Sequence, residues 1–252
     1  MSIQNEKDLQ GILKAGKFVA KVRELLKLLA KPGVSTLELD NIAKLEFEKA
    51  GAVSAPKNDY KFPGYTCIST NFEIAHGIPK KDTILKEGDL VNIDVSAKLD
   101  GYYADTGISF VVGNSQNETL QKLCEAAIEG TLRATKQAYT GNYLRNIGKE
   151  IHSTAIENGF TVIKNLAGHG TGKKLHEEPQ VLVYEDKRDH RKLNNGLVLA
   201  IESFVSTGSQ TAYEEEDGWT LVAGNRRGEL SFVAQCEHTV IVQNGKPIIA
   251  TL

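Results

Sequence analysis

Three pairs of glycines stand at one fixed separation along the chain. Gly33 and Gly141, Gly51 and Gly159, and Gly88 and Gly196 are each 108 residues apart. The last pair opens two similar apolar runs, Gly-Asp-Leu-Val-Asn-Ile-Asp94 and Gly-Leu-Val-Leu-Ala-Ile-Glu202, so Asp94 and Glu202 share the offset. Four matches at one offset, in the same order of elements, predict two α-α-β halves packed about a pseudo-twofold axis. Such an axis sets Asp94 and Glu202 on equivalent strands, facing each other near it.

Local signals agree with a repeat. Leu9, Ile12, Leu13, Gly16, Val19, Ala20 and Leu26 recur at helical spacing between Asn5 and Ala30, and Pro32-Gly33 stops the pattern. Ser35 and Glu38 have the spacing of a capping box, opening a second helix that closes at Gly51. From Ala52 to Val112 short apolar runs alternate with Gly, Pro and Asp-Gly turns, the pattern of strands. The cycle then restarts. Ser115 and Glu118 read as another capping box, Leu120 to Thr135 and Leu144 to Ala155 as helices, and Phe160 onward as strands. The halves fall at about 6–113 and 114–252 of a single domain spanning 1–252.

Composition removes several function classes. The 252 residues carry 30 Lys+Arg against 32 Asp+Glu, a net charge of −2, which does not suit a dedicated nucleic-acid or membrane-surface binder. Cys67, Cys124 and Cys236 are odd in number and widely spaced, which excludes a disulfide framework and a thiolate zinc ribbon and suits a reducing compartment. Met1 to Gln10 is polar and acidic, unlike a secretory signal, and no run approaches the ~20 apolar residues of a membrane span. The expected location is the cytoplasm.

Charge inside strands is the next constraint. Asp94 and Asp105 lie 11 apart across an Asp100-Gly101 turn, a hairpin spacing that returns one side chain beside the other. Val91, Ile93 and Val95 surround Asp94, so a solvated surface acid fits poorly there. Glu237 likewise interrupts a run of strand-formers in Ala-Gln-Cys-Glu-His-Thr-Val-Ile-Val, while His238 alternates to the other face. His169 is flanked by glycines that let another group approach its ring, and His176 follows in Leu-His-Glu-Glu-Pro. His76, in Ala-His-Gly-Ile-Pro, is a further candidate. Burying a carboxylate unpaired costs several kcal/mol. Four strand carboxylates with one imidazole therefore suit a pair of hard divalent ions, which polarise a carbonyl and turn water into a nucleophile at neutral pH.

Asn-Ile-Asp94-Val, Ala-Asp105-Thr-Gly, Gly-His169-Gly, Leu-His176-Glu-Glu-Pro, Ile-Glu202 and Glu237-His-Thr, in this order, resemble the type I methionine aminopeptidases. The resemblance runs from about Glu6 to the end. It implies an α+β, pita-bread fold: a central antiparallel sheet flanked by helices with pseudo-twofold symmetry. It also implies that Asp94, Asp105, His169, Glu202 and Glu237 hold two divalent ions (Co, Mn, Fe or Zn), with Asp105 and Glu237 bridging. By the same resemblance His76 and His176 contact the substrate, Glu202 handles a proton, and Phe62, Cys67 and Trp219 line a methionine pocket. The implied reaction is hydrolytic removal of the N-terminal methionine ahead of a small second residue. The implied partners are nascent polypeptide N-termini, at the ribosome, for an enzyme expected to be monomeric.

The sequence departs from the family at four places. Ser203 follows Glu202 where proline is usual, which is expected to loosen the ligand's backbone. Leu175 stands where phenylalanine is common, and Asp59 and Tyr60 replace other aromatic or imidazole neighbours. Two rival readings remain: a proline-directed pita-bread peptidase, and a catalytically impaired paralogue that serves as a binding protein.

Overall fold

A computed structural model describes residues 1–224 and 228–252. The first half contains α1 (Glu6–Leu29), α2 (Thr36–Ala50), β1 (Val53–Ser54), a π-helical turn at Pro56–Tyr60, β2 (Cys67–Thr70), β3 (Glu73–Ala75), β4 (Leu90–Leu99) and β5 (Tyr102–Val111). The second contains α3 (Glu118–Thr135), α4 (Arg145–Glu157), β6 (Thr161–Val162), β7 (Ala167–Gly170), β8 (Glu177–Leu182), β9 (Val198–Ser206), β10 (Ala212–Glu214), β11 (Leu221–Ala223), β12 (Val233–Ile241) and β13 (Ile248–Ile249). The main sheet runs β1-β4-β5-β12-β9-β7-β8, with β2 on β4, β6 on β9 and β13 on β12, all antiparallel.

The 108-residue offset holds bond by bond up to the end of the β9 strand. Val53 pairs with Lys98 and Thr161 with Ser206; Ser54 pairs with Ala97 and Val162 with Val205. Gly33 N donates to Leu85 O at 2.8 Å, and Gly141 N to Leu193 O at 2.8 Å. Gly88 N donates to Val112 O at 3.0 Å, and Gly196 N to Val242 O at 2.8 Å; here the donors keep the offset, while the acceptors are further apart because the second half is longer before Val242. All six repeat glycines have positive φ, from 65° to 93°, where an L side chain is disfavoured. The repeat is therefore a repeat of backbone turns as well as of letters.

Strand alternation separates core from site. On β4, Val91, Ile93, Val95 and Ala97 are buried against the α1–α2 layer, while Asn92, Asp94 and Ser96 point to the other face. On β9, Leu199, Ile201 and Val205 join a second cluster with α3 and α4. Each half so has its own apolar core on the helical face, and the opposite face is left for polar groups.

The capping box expected at Ser35 and Glu38 forms, and the one expected at Ser115 and Glu118 does not. Asn5 caps α1 by accepting from Asp8 N, and the α2 box is reciprocal. Asn117 caps α3 instead, accepting from Leu120 N at 3.2 Å, and Glu118 becomes the first helical residue. Asn is as good a cap as Ser, and an acid in the first turn is favoured by the helix dipole. The Asp100-Gly101 turn has φ of 52° and 85°, the paired positive values of a tight two-residue hairpin. No helix among the described residues is long and apolar enough to cross a membrane.

Candidate metal centre

The polar face of the central strands gathers the four carboxylates. Ser96 is the cross-strand partner of Asp105, and Asp94 that of Gly107, so the two acids are diagonal neighbours. Ser96 Oγ donates to Asp105 Oδ1 at 2.7 Å and lies 3.5 Å from Asp94 Oδ1. Glu202 and Glu237 are direct cross-strand partners on β9 and β12. Gln235, two residues from Glu237 on the same face, donates through Nε2 to Glu237 at 3.1 Å and to Glu202 at 3.3 Å. Its Oε1 accepts from Asn92 at 2.7 Å, and Gly107 leaves room for it: a Cβ there would lie 2.0 Å from that oxygen and force the amide out of its present position.

The seam between the halves runs between Asp105 and Glu237. Strands β5 and β12 share one register pair, Cys236 with Ile108. Side-chain hydroxyls take over the other links. Thr239 Oγ accepts from Asp105 N and donates to Asp105 O, both at 2.8 Å. Thr106 Oγ donates to Glu237 O at 2.9 Å, and Ser109 Oγ accepts from Gln235 N at 2.8 Å.

His169 reaches this group from β7, which pairs with β9. Its Nδ1 bonds Gly170 O at 2.9 Å, which leaves Nε2 facing Asp105 Oδ2 at 3.8 Å. Fixing one imidazole nitrogen on a carbonyl is how metal-ligating histidines are oriented. The glycines beside His169 serve a different purpose from the one the sequence suggested. A Cβ at Gly168 would lie 2.4 Å from Ala200 O, and one at Gly170 2.2 Å from Glu178 O, so they admit the neighbouring strands rather than a group at the ring.

The electrostatics ask for cations. Burial, reinforced by Asp105, pushes Asp94 and Glu237 well above the usual carboxylate range and Glu202 up to about 8. Burial also raises Asp105, against the lowering effect of the Ser96 hydroxyl. Glu237 Oε1 is buried without a hydrogen-bond partner, an expensive state for an acceptor. Asp105, His169 and Glu237 each bring a ligand atom within 4.8 Å of the others. An orphan carboxylate oxygen, an oriented imidazole and four acids forced together fit divalent-metal binding.

All ten expected site residues line one cavity of about 670 Å³. Phe62 and Trp219 meet edge to face with ring centres 5.3 Å apart. Cys67 is the cross-strand partner of Asp94, and burial first, then the Asp94 carboxylate, keeps its thiol neutral. Trp219 stands beside β11, whose Leu221 pairs with Ala75 of β3, so the two halves share this wall. His76 has a φ of 55°. His176 packs against His169 with ring centres 4.3 Å apart, and Tyr60 Oη meets His176 Nδ1 at 2.8 Å. Loss of hydration in the cleft, then the His169 ring, lowers His176 to about 4, although the residue as a whole is exposed.

The chain matches metallopeptidase family M24 over residues 10–244. It belongs to that family. Members use divalent metal, in keeping with the acids and imidazole described above. The M24 chain is 49% identical to methionine aminopeptidase of Staphylococcus epidermidis, covering 100% of this chain and 98% of that one. It is 47% identical to methionine aminopeptidase 2 of Bacillus subtilis, covering 100% and 99%. The crystal structure of methionine aminopeptidase from Thermotoga maritima superposes with a TM-score of 0.93 at 32% identity, covering 100% and 99%. The architecture is the pita-bread fold.

Three features escaped the sequence reading. Ser96 and Gln235 hold the carboxylates from positions two residues away on the same strand face, a period that could have flagged them. Ser203 does not loosen Glu202. It is fully buried, donates to Ala127 O at 3.0 Å and accepts from Thr131 Oγ at 2.9 Å, which ties β9 to α3. Tyr60, noted only as a departure, supplies the hydrogen bond to His176.

Proposed function

We propose that this M24 enzyme is a methionine aminopeptidase with a dinuclear centre, removing N-terminal methionine from proteins and peptides with a small second residue. One observation carries the reading. One cavity is lined both by the acids and His169 and by the apolar group of Phe62, Cys67 and Trp219. An unbranched thioether suits a pocket walled by aromatic rings and a neutral thiol.

In this reading Asp94, Asp105, His169, Glu202 and Glu237 would hold two ions of the Co, Mn, Fe or Zn type. The ions supply carbonyl polarisation and a water of lowered pKa. The protein's own groups do the rest. Tyr60 occupies Nδ1 of His176, so Nε2 is free to donate to the substrate carbonyl oxygen as it gains charge. The low pKa of His176 keeps the ring neutral, with one proton to place. Glu202, at the edge of this group of acids, would relay a proton between water and the peptide. His76 contacts the peptide at the cavity edge. The substrates are nascent N-termini met in the cytoplasm at the ribosome, and the protein acts there as a monomer formed by one catalytic domain over residues 1–252.

The test is a metal-replete assay on Met-X peptides. Met-Ala, Met-Gly and Met-Ser peptides should be cut faster than Met-Leu or Met-Lys peptides. Cleavage confined to X-Pro peptides would favour the proline-directed reading. No cleavage with any of Co, Mn, Fe or Zn would favour a binding protein.

A further inference from the structure

One buried cation stands outside the cavity. Arg23 lies on the inner face of α1, which packs across β5, and is 6% exposed. Its Nε and Nη2 reach Glu24 Oε1 at 3.0 and 2.9 Å, on an acid whose side chain is 55% exposed. Its Nη1 donates to Thr106 Oγ, and that buried hydroxyl donates in turn to Glu237 O at 2.9 Å. The charge also reaches Cys236 and His238, the residues on either side of Glu237. The guanidinium thus sits behind the seam, on the face of the sheet opposite the acids. The equivalent position in the repeat is Thr131, 108 residues after Arg23 and buried on α3. Its Oγ lies 2.9 Å from Cys236 O. Both helices therefore send a polar side chain toward neighbouring carbonyls of β12, α3 directly and α1 through Thr106. A neutral hydroxyl is enough from α3. From α1 the residue is an arginine, which is costly to bury beside so exposed a partner.

We propose that Arg23 is a positioning residue for the metal centre: it fixes the Thr106 hydroxyl on the Glu237 carbonyl and so holds the Glu237 carboxylate in place against Asp105 across the seam. This rests on the metal-binding reading of the site, not on the choice of substrate. A threonine hydroxyl rotates and carries one proton. With Arg23 Nη1 occupying a lone pair, that proton is directed at Glu237 O. Strands β5 and β12 share one register pair, Cys236 with Ile108, so a side chain takes the place of a ladder bond at Glu237. Hydrogen bonds outside the ligand set orient the ligands and tune metal affinity. Arg23 touches neither the cavity nor an acid of the site, and acts only through Thr106. Its loss leaves Glu24 in water rather than stranded, so the fold should survive while the aim of Glu237 does not.

The experiment titrates Mn²⁺ into the full chain by calorimetry, in wild type, Arg23→Met, Thr106→Val, Thr106→Ser and the double variant Arg23→Met with Thr106→Val. Arg23→Met should weaken Mn²⁺ binding by ~10–100-fold, the usual cost of losing a hydrogen bond behind a metal ligand. Its melting temperature with chelator should stay close to that of chelated wild type. Thr106→Val keeps the shape, removes the hydroxyl and should lose about as much affinity. Thr106→Ser keeps the hydroxyl and should bind like wild type. The double variant should lose no more than either single change, because the two break one link. In metal-free chains the amides of Asp105 and Gln235, which donate to the Thr239 and Ser109 hydroxyls at the seam, should exchange faster in Arg23→Met. Wild-type affinity in Arg23→Met would overturn the proposal, and so would additive losses in the double variant. A lower melting temperature with unchanged affinity would make Arg23 a structural contact and overturn it too. If wild type itself takes up neither Mn²⁺ nor Zn²⁺ nor Co²⁺, the metal-binding reading has failed. Faster seam exchange in Arg23→Met would then still support the hold on β12, and unchanged exchange would overturn it.

Discussion

The two halves turn the same corner in different ways. In the first, β4 reaches β5 through Asp100-Gly101 alone. In the second, the equivalent strands β9 and β12 are joined by residues 207–232, an excursion that carries β10, β11 and Trp219. The carboxylates come from what the halves share: strand positions on a common frame. The pocket comes from what they do not share. The same split separates the ligands' hydrogen bonds. Ser96 holds the aspartates of the first half, and Gln235, longer by two bonds, holds the glutamates of the second. Frame residues should therefore govern metal and stability, and residues off the frame should govern turnover.

The largest effect should come from the frame. Asp105→Asn keeps an acceptor for Ser96 while removing the charge felt by every other acid of the site. Activity should vanish, and the metal-free variant should be at least as stable as metal-free wild type. Metal at ~100 times Kd should add ~2.7 kcal/mol to wild type, roughly 5–11 °C in melting temperature for a chain of this size, and little to the variant. Melts with chelator and with Mn²⁺ measure this. A chelated variant melting well below chelated wild type would show that the carboxylate is a structural contact.

His176 lies off the frame. His176→Ala should lower kcat by ~10²–10³ with unchanged metal content. Metal loss in this variant would erase the distinction between frame residues and those off the frame.

A pH series sharpens the frame's electrostatics. Glu202 binds its proton more tightly folded, at about 8, than unfolded, at ~4.3. Between those values the folded state holds more protons, so stability falls as pH rises. Metal-free wild type should therefore lose melting temperature relative to Glu202→Gln between about pH 4.5 and 8. With metal the trend should reverse, since binding displaces those protons. A constant difference between the two proteins across that range would place Glu202 in a wetter site than described.

The smallest effect concerns Ser203. Ser203→Ala should cost about 0.5–1.5 kcal/mol, the usual value of a buried hydrogen bond, and leave metal content alone. A measurable loss of metal would mean that the α3 tether also aims Glu202.

Much of this was legible because it is written at fixed intervals. The six glycines mark turns that only a positive φ can make, and Asp94, Glu202 and Glu237 stand out as charges in apolar runs. His238 sits on the far face with Thr251, as alternation requires. What stayed hidden lacks either signal. Asn117 displaced Ser115 as a cap because several nearby side chains could do the job, and only the final chain path chooses between them. The seam hydroxyls of Thr106, Ser109 and Thr239 look like ordinary strand residues until the partner strand is known. Met1 has no pattern at all, and its contacts are made with a loop 170 residues away.

The sparse seam between β5 and β12 has a consequence for descent. An interface on a twofold axis is isologous, each side offering the same patch. Asp94 and Glu202 occupy equivalent positions 108 residues apart, and Asp105 and Glu237 meet across the seam. Two copies of a half-length chain, each bearing a pair of strand acids, could close such a site as a homodimer. Neither copy would need the 207–232 excursion to do so. Covalent fusion then frees one half to lengthen a loop without the other having to copy it, and Trp219 stands on the loop that took that freedom.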